Sequence, residues 1–110
     1  MRTFVSIAFG LSVLVAAAAW AEDLPTFELI ARDGHFIPDT LQAPSGKRFK
    51  IVIKNEGSGP IEFESASLRK EKVLAPNSQS FVVVQPLKPG TYDFFDEFHA
   101  DTSRGKVIVK

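Results

Sequence analysis

The feature that most constrains this chain is its punctuation. Beyond residue 24 lie all seven prolines and six of the seven glycines, and they cut the sequence into short β-prone runs too brief for an amphipathic helix. The clearest run is Lys47-Arg48-Phe49-Lys50-Ile51-Val52-Ile53-Lys54, where Phe49, Ile51 and Ile53 alternate with Lys50 and Lys54. That period of two is the mark of a strand with one face in a core. Phe27 to Ala31, Ile61 to Ser65, Leu68 to Leu74, Ser80 to Val84, a segment opening at Tyr92 and Gly105 to Val109 also read as strands. Turns are expected at Asp33-Gly34, Ala43 to Gly46, Asn55 to Pro60, Ala75 to Ser78 and Pro86 to Gly90, with an edge at Ile37-Pro38-Asp39. Strands at short, regular spacing predict an all-β Greek-key sandwich or barrel without internal repeats.

The N-terminus reads differently. Arg2, the apolar run Phe4 to Ala19 and the small-residue ending Ala19-Trp20-Ala21 have the form of a secretory leader over residues 1–21. The run is short for a membrane span, which needs about 20 apolar residues, and it is followed by Glu22 and Asp23. With no cysteine to carry a lipid, the expectation is a soluble periplasmic protein, residues 22–110, with no membrane insertion after cleavage. About 89 residues then remain, enough for a single domain burying about 60 to 65% of its unfolded surface. All thirteen acids stay while Arg2, one of thirteen basic residues, leaves, so the remaining charge is about −1. Nucleic acid is not an expected partner.

Cysteine is absent, and the only methionine is Met1. After leader removal the chain holds no sulfur. Disulfides cannot contribute stability, so packing of Phe, Val, Ile and Leu must supply it.

Three segments carry candidate chemistry. Glu62 and Glu64 share one face of their strand while Phe63 takes the other; two like charges held side by side repel, and if partly enclosed they ask for a cation. Thr91 to Thr102, TYDFFDEFHADT, places Asp96, Glu97, His99 and Asp101 among phenylalanines. Phe95 and Phe98 break the alternation that Tyr92, Phe94 and Asp96 would follow, so a non-strand segment is expected to begin near Asp96. Asp33-Gly34-His35 supplies the other histidine. Serine-nucleophile and phosphate-loop patterns are lacking.

Pro44 to Lys47, the strand ending in Asn55, Glu62-Phe63-Glu64, Ala75 to Ser78, Leu87 to Asp93 and the closing Gly105 to Val109 together resemble the cupredoxin-like domain of periplasmic iron-uptake proteins. The similarity is to the N-terminal domain of the EfeO type and, more closely, to the stand-alone FtrB type, and it covers nearly all of the chain after the leader. It implies a cupredoxin-like Greek-key β-sandwich. In blue-copper members a histidine follows the Asn-x-x-Gly-x-Pro-like loop and a cysteine follows the Pro-Gly-x-Tyr strand. Ile61 or Glu62 stands at the first of these positions and Asp96 at the second. In the EfeO-type domain a cysteine also stands near the positions of His35 and Asp96, so oxygen and imidazole donors replace sulfur here.

A type 1 copper site needs a thiolate beside imidazoles and cannot be built from this chain. The resemblance implies instead a metal site for iron, copper or both from Glu62, Glu64, Asp96 and His99, with His35 and Glu97 nearby. Such a site would assist oxidation of ferrous iron, in the manner of a ferroxidase, or its handover to a membrane permease and other components of an iron transporter. Two alternatives stay open. One is a metal-free docking module anchored by Phe94, Phe95 and Phe98; the other is a Cu(II) binding or delivery protein.

Overall fold

Alternation written into the sequence becomes two facing layers. The structure, a computed structural model, describes Thr3 and residues 24–110; the expected leader otherwise lies outside the described residues. Strand β4 (Phe49–Asn55) buries Phe49, Ile51, Ile53 and Asn55 and leaves Lys50, Val52 and Lys54 partly exposed. It pairs in parallel with β1 (Thr26–Arg32) and antiparallel with β7 (Ser78–Val84). β2 (His35–Ile37) completes this sheet in the order β2-β1-β4-β7. The second sheet runs β3-β9-β8-β5-β6 and comprises β3 (Thr40–Ala43), β5 (Ile61–Ser65), β6 (Lys70–Leu74), β8 (Gly90–Asp96) and β9 (Gly105–Val109). This is the single-domain Greek-key sandwich that the punctuation predicts.

The turn between β1 and β2 is set by Asp33 and Gly34, at φ 52° and 76°. Two successive left-handed residues match the twist of a tight hairpin, and Asp-Gly is a pair that adopts them readily. As a result Arg32 pairs with His35, and His35 stands at the end of the sandwich. β2 and β3 lie in different sheets, so the chain changes layer between Ile37 and Thr40.

Between the sheets, Leu29, Phe49, Ile51, Ile53, Phe63, Phe94 and Val107 have no exposed surface. Phe36, Phe63 and Phe94 form an aromatic knot: Phe36 meets the other two edge-on at 6.0 and 5.5 Å, and Phe63 lies 5.4 Å from Phe94. Edge-on rings gain about 0.5–1.5 kcal/mol beyond their buried area. The knot sits beneath the point where β5 and β8 pair, and it fixes the strands that carry the acidic residues.

Some boundaries differ from expectation. β6 begins at Lys70, because Leu68 is drawn into the core within a turn in which Arg69 takes φ 55°. β3 is an unexpected strand, held by parallel pairing to β9. Phe94 is fully buried and cannot serve as a docking anchor; of the three candidate anchors, Phe98 is the exposed one, at 52%. Among the described residues no helix is long and apolar enough to cross a membrane.

Candidate metal centre

On β5, Ile61, Phe63 and Ser65 are buried, while Glu62 and Glu64 are turned to the outer face of the second sheet and half-buried. Across the sheet Glu62 stands opposite Val73, and Glu64 stands between Glu71 of β6 and Phe95 of β8. The third carboxylate arrives by a different route. β8 stops at Asp96, and a 3-10 helical turn over Glu97–His99 folds back beside β5. Donor oxygens of Glu62, Glu64 and Glu97 then all lie within 4.8 Å of one another.

Three carboxylates at this spacing repel when ionised. Partial burial comes first, and the charges of Glu97 and Glu71 second, in raising Glu62 above the ordinary glutamate range. Glu64 is raised too, by burial first and then by the closeness of the Glu71 carboxyl and the charge of Glu97. Among the described residues no lysine or arginine is ion-paired with any of the three. Oε2 of Glu64 is shut off from solvent and has no hydrogen-bond partner, which is costly for an acceptor that could be ionised. A cation at the centre of the triad would remove the repulsion. Hard oxygen donors suit Fe, Mn or Mg in preference to Cu(I).

The other expected residues form a second arrangement. Asp96 and His99 face, together with His35, a cleft of about 390 Å³ at the end of the sandwich. Asp96 has a 3% exposed side chain. Its Oδ1 accepts from the backbone N–H of Glu62 at 2.9 Å and of Phe98 at 3.0 Å, and its Oδ2 contacts His99 Nδ1 at 2.7 Å. The ring of His99 lies against Gly34, where an added Cβ would come within 3.3 Å of it. His35 is exposed. The six residues expected at one site thus divide: Glu62, Glu64 and Glu97 meet, whereas His35, Asp96 and His99 border the neighbouring cleft.

Glu71 is a fourth carboxylate that the sequence reading did not single out. Its signal was the alternation Lys70-Glu71-Lys72, which puts Glu71 directly across from Glu64 once β5 and β6 pair. Ser103 was also missed; buried at 1% exposure, it accepts from Asp96 N at 2.7 Å and donates to Asp96 O at 3.1 Å.

A family profile described as "Cupredoxin-like domain" matches residues 4–109. The chain belongs to this family. An uncharacterized protein of Rickettsia prowazekii (strain Madrid E), RP394, is 34% identical over 82 residues, which are 74% of this chain and 66% of that protein; the chain therefore spans just under two thirds of its relative. Auracyanin A, a "blue" copper protein of Chloroflexus aurantiacus, superposes with a TM-score of 0.69 at 15% identity over 80% of this chain and 100% of its own. A purple cupredoxin from Nitrosopumilus maritimus gives 0.59 at 19%, covering 76% and 99%. The metal-binding domain of the Streptococcus pneumoniae D39 Cu(I)-exporting ATPase CopA gives 0.68 at 14%, covering 77% and 84%. At these identities the structures establish a shared fold. This cupredoxin-like domain has no cysteine, so it has no type 1 copper site.

Proposed function

We propose that this cupredoxin-like protein binds a hard cation, iron foremost, through Glu62, Glu64 and Glu97, and serves a periplasmic iron-uptake system by receiving ferrous iron and passing it to a membrane permease. One observation carries the reading: three carboxylates within 4.8 Å of one another, one of which holds an enclosed, unpartnered oxygen. The iron-uptake assignment draws on the sequence resemblance to the FtrB and EfeO types. A carboxylate triad stabilises a higher ionic charge more than a lower one, so iron held here is biased toward Fe(III), in keeping with a role beside iron oxidation.

Protons and cation compete for the raised carboxylates, so affinity falls as pH drops through their values. The imidazoles lie outside the triad, and the loss is set by the glutamates. The test is anaerobic titration calorimetry with Fe(II) and with Mn(II), comparing the wild type with E62Q, E64Q and E97Q. One bound ion per chain is expected, weakened at least about tenfold by each substitution. Three variants binding as the wild type does would remove the reading. Growth of a deletion strain on ferrous against ferric iron tests the uptake role separately.

A second reading is favoured by the cleft. His99 is held through Nδ1 by Asp96, which leaves Nε2 as its remaining donor, and His35 lines the same cleft. Imidazole pairs suit Cu(II). Competition between Cu(II) and Fe(II) in the same titration, with H99A and H35A, separates this reading from the first.

A further inference from the structure

The inference concerns Asp96 and rests on the reading of the carboxylate triad as a cation site. β5 and β8 pair through Glu64 with Phe95 and Phe63 with Asp96. One step further along β5, the backbone N–H of Glu62 would look for an acceptor on residue 97, but there the chain has already turned into its 3-10 segment. The side chain of Asp96 supplies the missing acceptor. Its Oδ1 takes the Glu62 N–H at 2.9 Å, and the same atom takes the Phe98 N–H at 3.0 Å as the cap of the turn.

A single oxygen therefore fastens both segments that present carboxylates. Glu62 is held by its own amide. Glu97 lies between the residue that provides the oxygen and the residue whose amide binds it. The other oxygen, Oδ2, is engaged by His99 Nδ1. The backbone of Asp96 is fixed in turn by the reciprocal pair of hydrogen bonds with Ser103. The Asp96 side chain itself is enclosed, at 3% exposed, while its partner His99 is 44% exposed.

We propose that Asp96 is the positioning residue of the site: it is not a ligand, but sets the separation of the Glu62 and Glu97 carboxylates by holding, with one oxygen, the amide of Glu62 and the amide of Phe98 that follows Glu97. Partners one shell removed from a metal change affinity by about 10- to 100-fold when they are lost. The grip requires an acceptor, not a charge. An asparagine in this place keeps an oxygen for the two amides, and its NH2 can donate to His99 Nδ1 when that ring carries its proton on Nε2.

The experiment measures Mn(II) affinity by calorimetry, and thermal stability without metal, for wild type, D96N and D96A. Positioning predicts that D96N stays within about threefold of wild-type affinity, whereas D96A binds about 10- to 100-fold more weakly at the same stoichiometry. A residue needed only for folding would lower the melting temperature of D96A and leave the affinity of the folded protein unchanged, which overturns the proposal. A ligand would make D96N lose as much affinity as D96A, which also overturns it. Should D96A not fold, D96N alone decides, since a loss of tenfold or more in that variant contradicts a grip that asparagine preserves. Absence of Mn(II) binding by the wild type would refute the cation site itself, a different outcome from any of these.

Discussion

Replacing Asn55 tests how the loop before the acidic strand is held. Asn55 closes β4 and is 2% exposed. Its Nδ2 donates to Gly59 O at 2.9 Å, to Ala75 O at 3.0 Å and to Leu74 O at 3.3 Å, and its Oδ1 accepts from Gly57 N at 3.0 Å. Two amide protons serve three carbonyls, so N55A forfeits about three full hydrogen bonds at about 1 kcal/mol each, or about 3 kcal/mol. A domain of this size has about 5–10 kcal/mol in total, and each 1 kcal/mol moves the melting temperature by about 4–8 °C. N55A should therefore melt at least about 12 °C below wild type.

The more demanding variant is N55D. Its carboxylate keeps the Gly57 amide but faces three carbonyl oxygens with no donor to offer, so burial and these dipoles raise its pKa in the folded chain. A raised carboxyl contributes stability that is present at low pH and is lost as pH rises through the folded value. N55D should thus be less stable than N55A near pH 7 and recover as the pH approaches about 4. Urea denaturation followed by circular dichroism at both pH values is the assay. If N55A costs less than about 1 kcal/mol, or N55D matches wild type near pH 7, the hydrogen-bond account of this corner is refuted.

Two further predictions concern the acids and the packing. Because Glu62 and Glu64 are raised in the folded chain, their contribution to metal-free stability is full below the ordinary glutamate value and declines as pH rises through the raised ones; the E62Q/E64Q double variant should show a flatter melting-temperature profile between about pH 4 and pH 7, and an unchanged slope would count against the repulsion. At Gly105, a Cβ would lie 2.5 Å from Asp39 O, 2.5 Å from Phe94 Cζ and 2.6 Å from Phe94 Cε1, so G105A should destabilise by about 2 kcal/mol or more, read as a lower urea midpoint; a wild-type midpoint would mean that β9 can move away from Phe94.

Most of the fold could be read from the chain because its strands alternate cleanly. Phe49, Ile51 and Ile53 against Lys50 and Lys54 leave one choice of face, and Asp33-Gly34 allows one kind of turn. Thr40-Leu41-Gln42-Ala43 gave no such signal: it is brief, only moderately β-prone, and becomes a strand because β9 pairs with it. At the site, period two was enough to place Glu62 beside Glu64. It could not show that Glu97 would join them, because that depends on the chain leaving β8 for a 3-10 turn. The fate of Asp96 was harder still to read, since its partner amide at Glu62 lies 34 positions away. Its contact with His99 was more accessible: an acid three positions before a histidine at a helical start is a spacing that brings the two together.

The order of the second sheet bears on how such a chain reaches its folded state. β9, the last strand in sequence, lies between β3 and β8 and not at a margin. While a ribosome still holds residues 105–109, β3 and β8 have no common neighbour and that layer cannot close. Maturation must therefore await delivery of the final strand, and until then the half-made layer is open to proteases and to other chains that could pair with its unfilled gap.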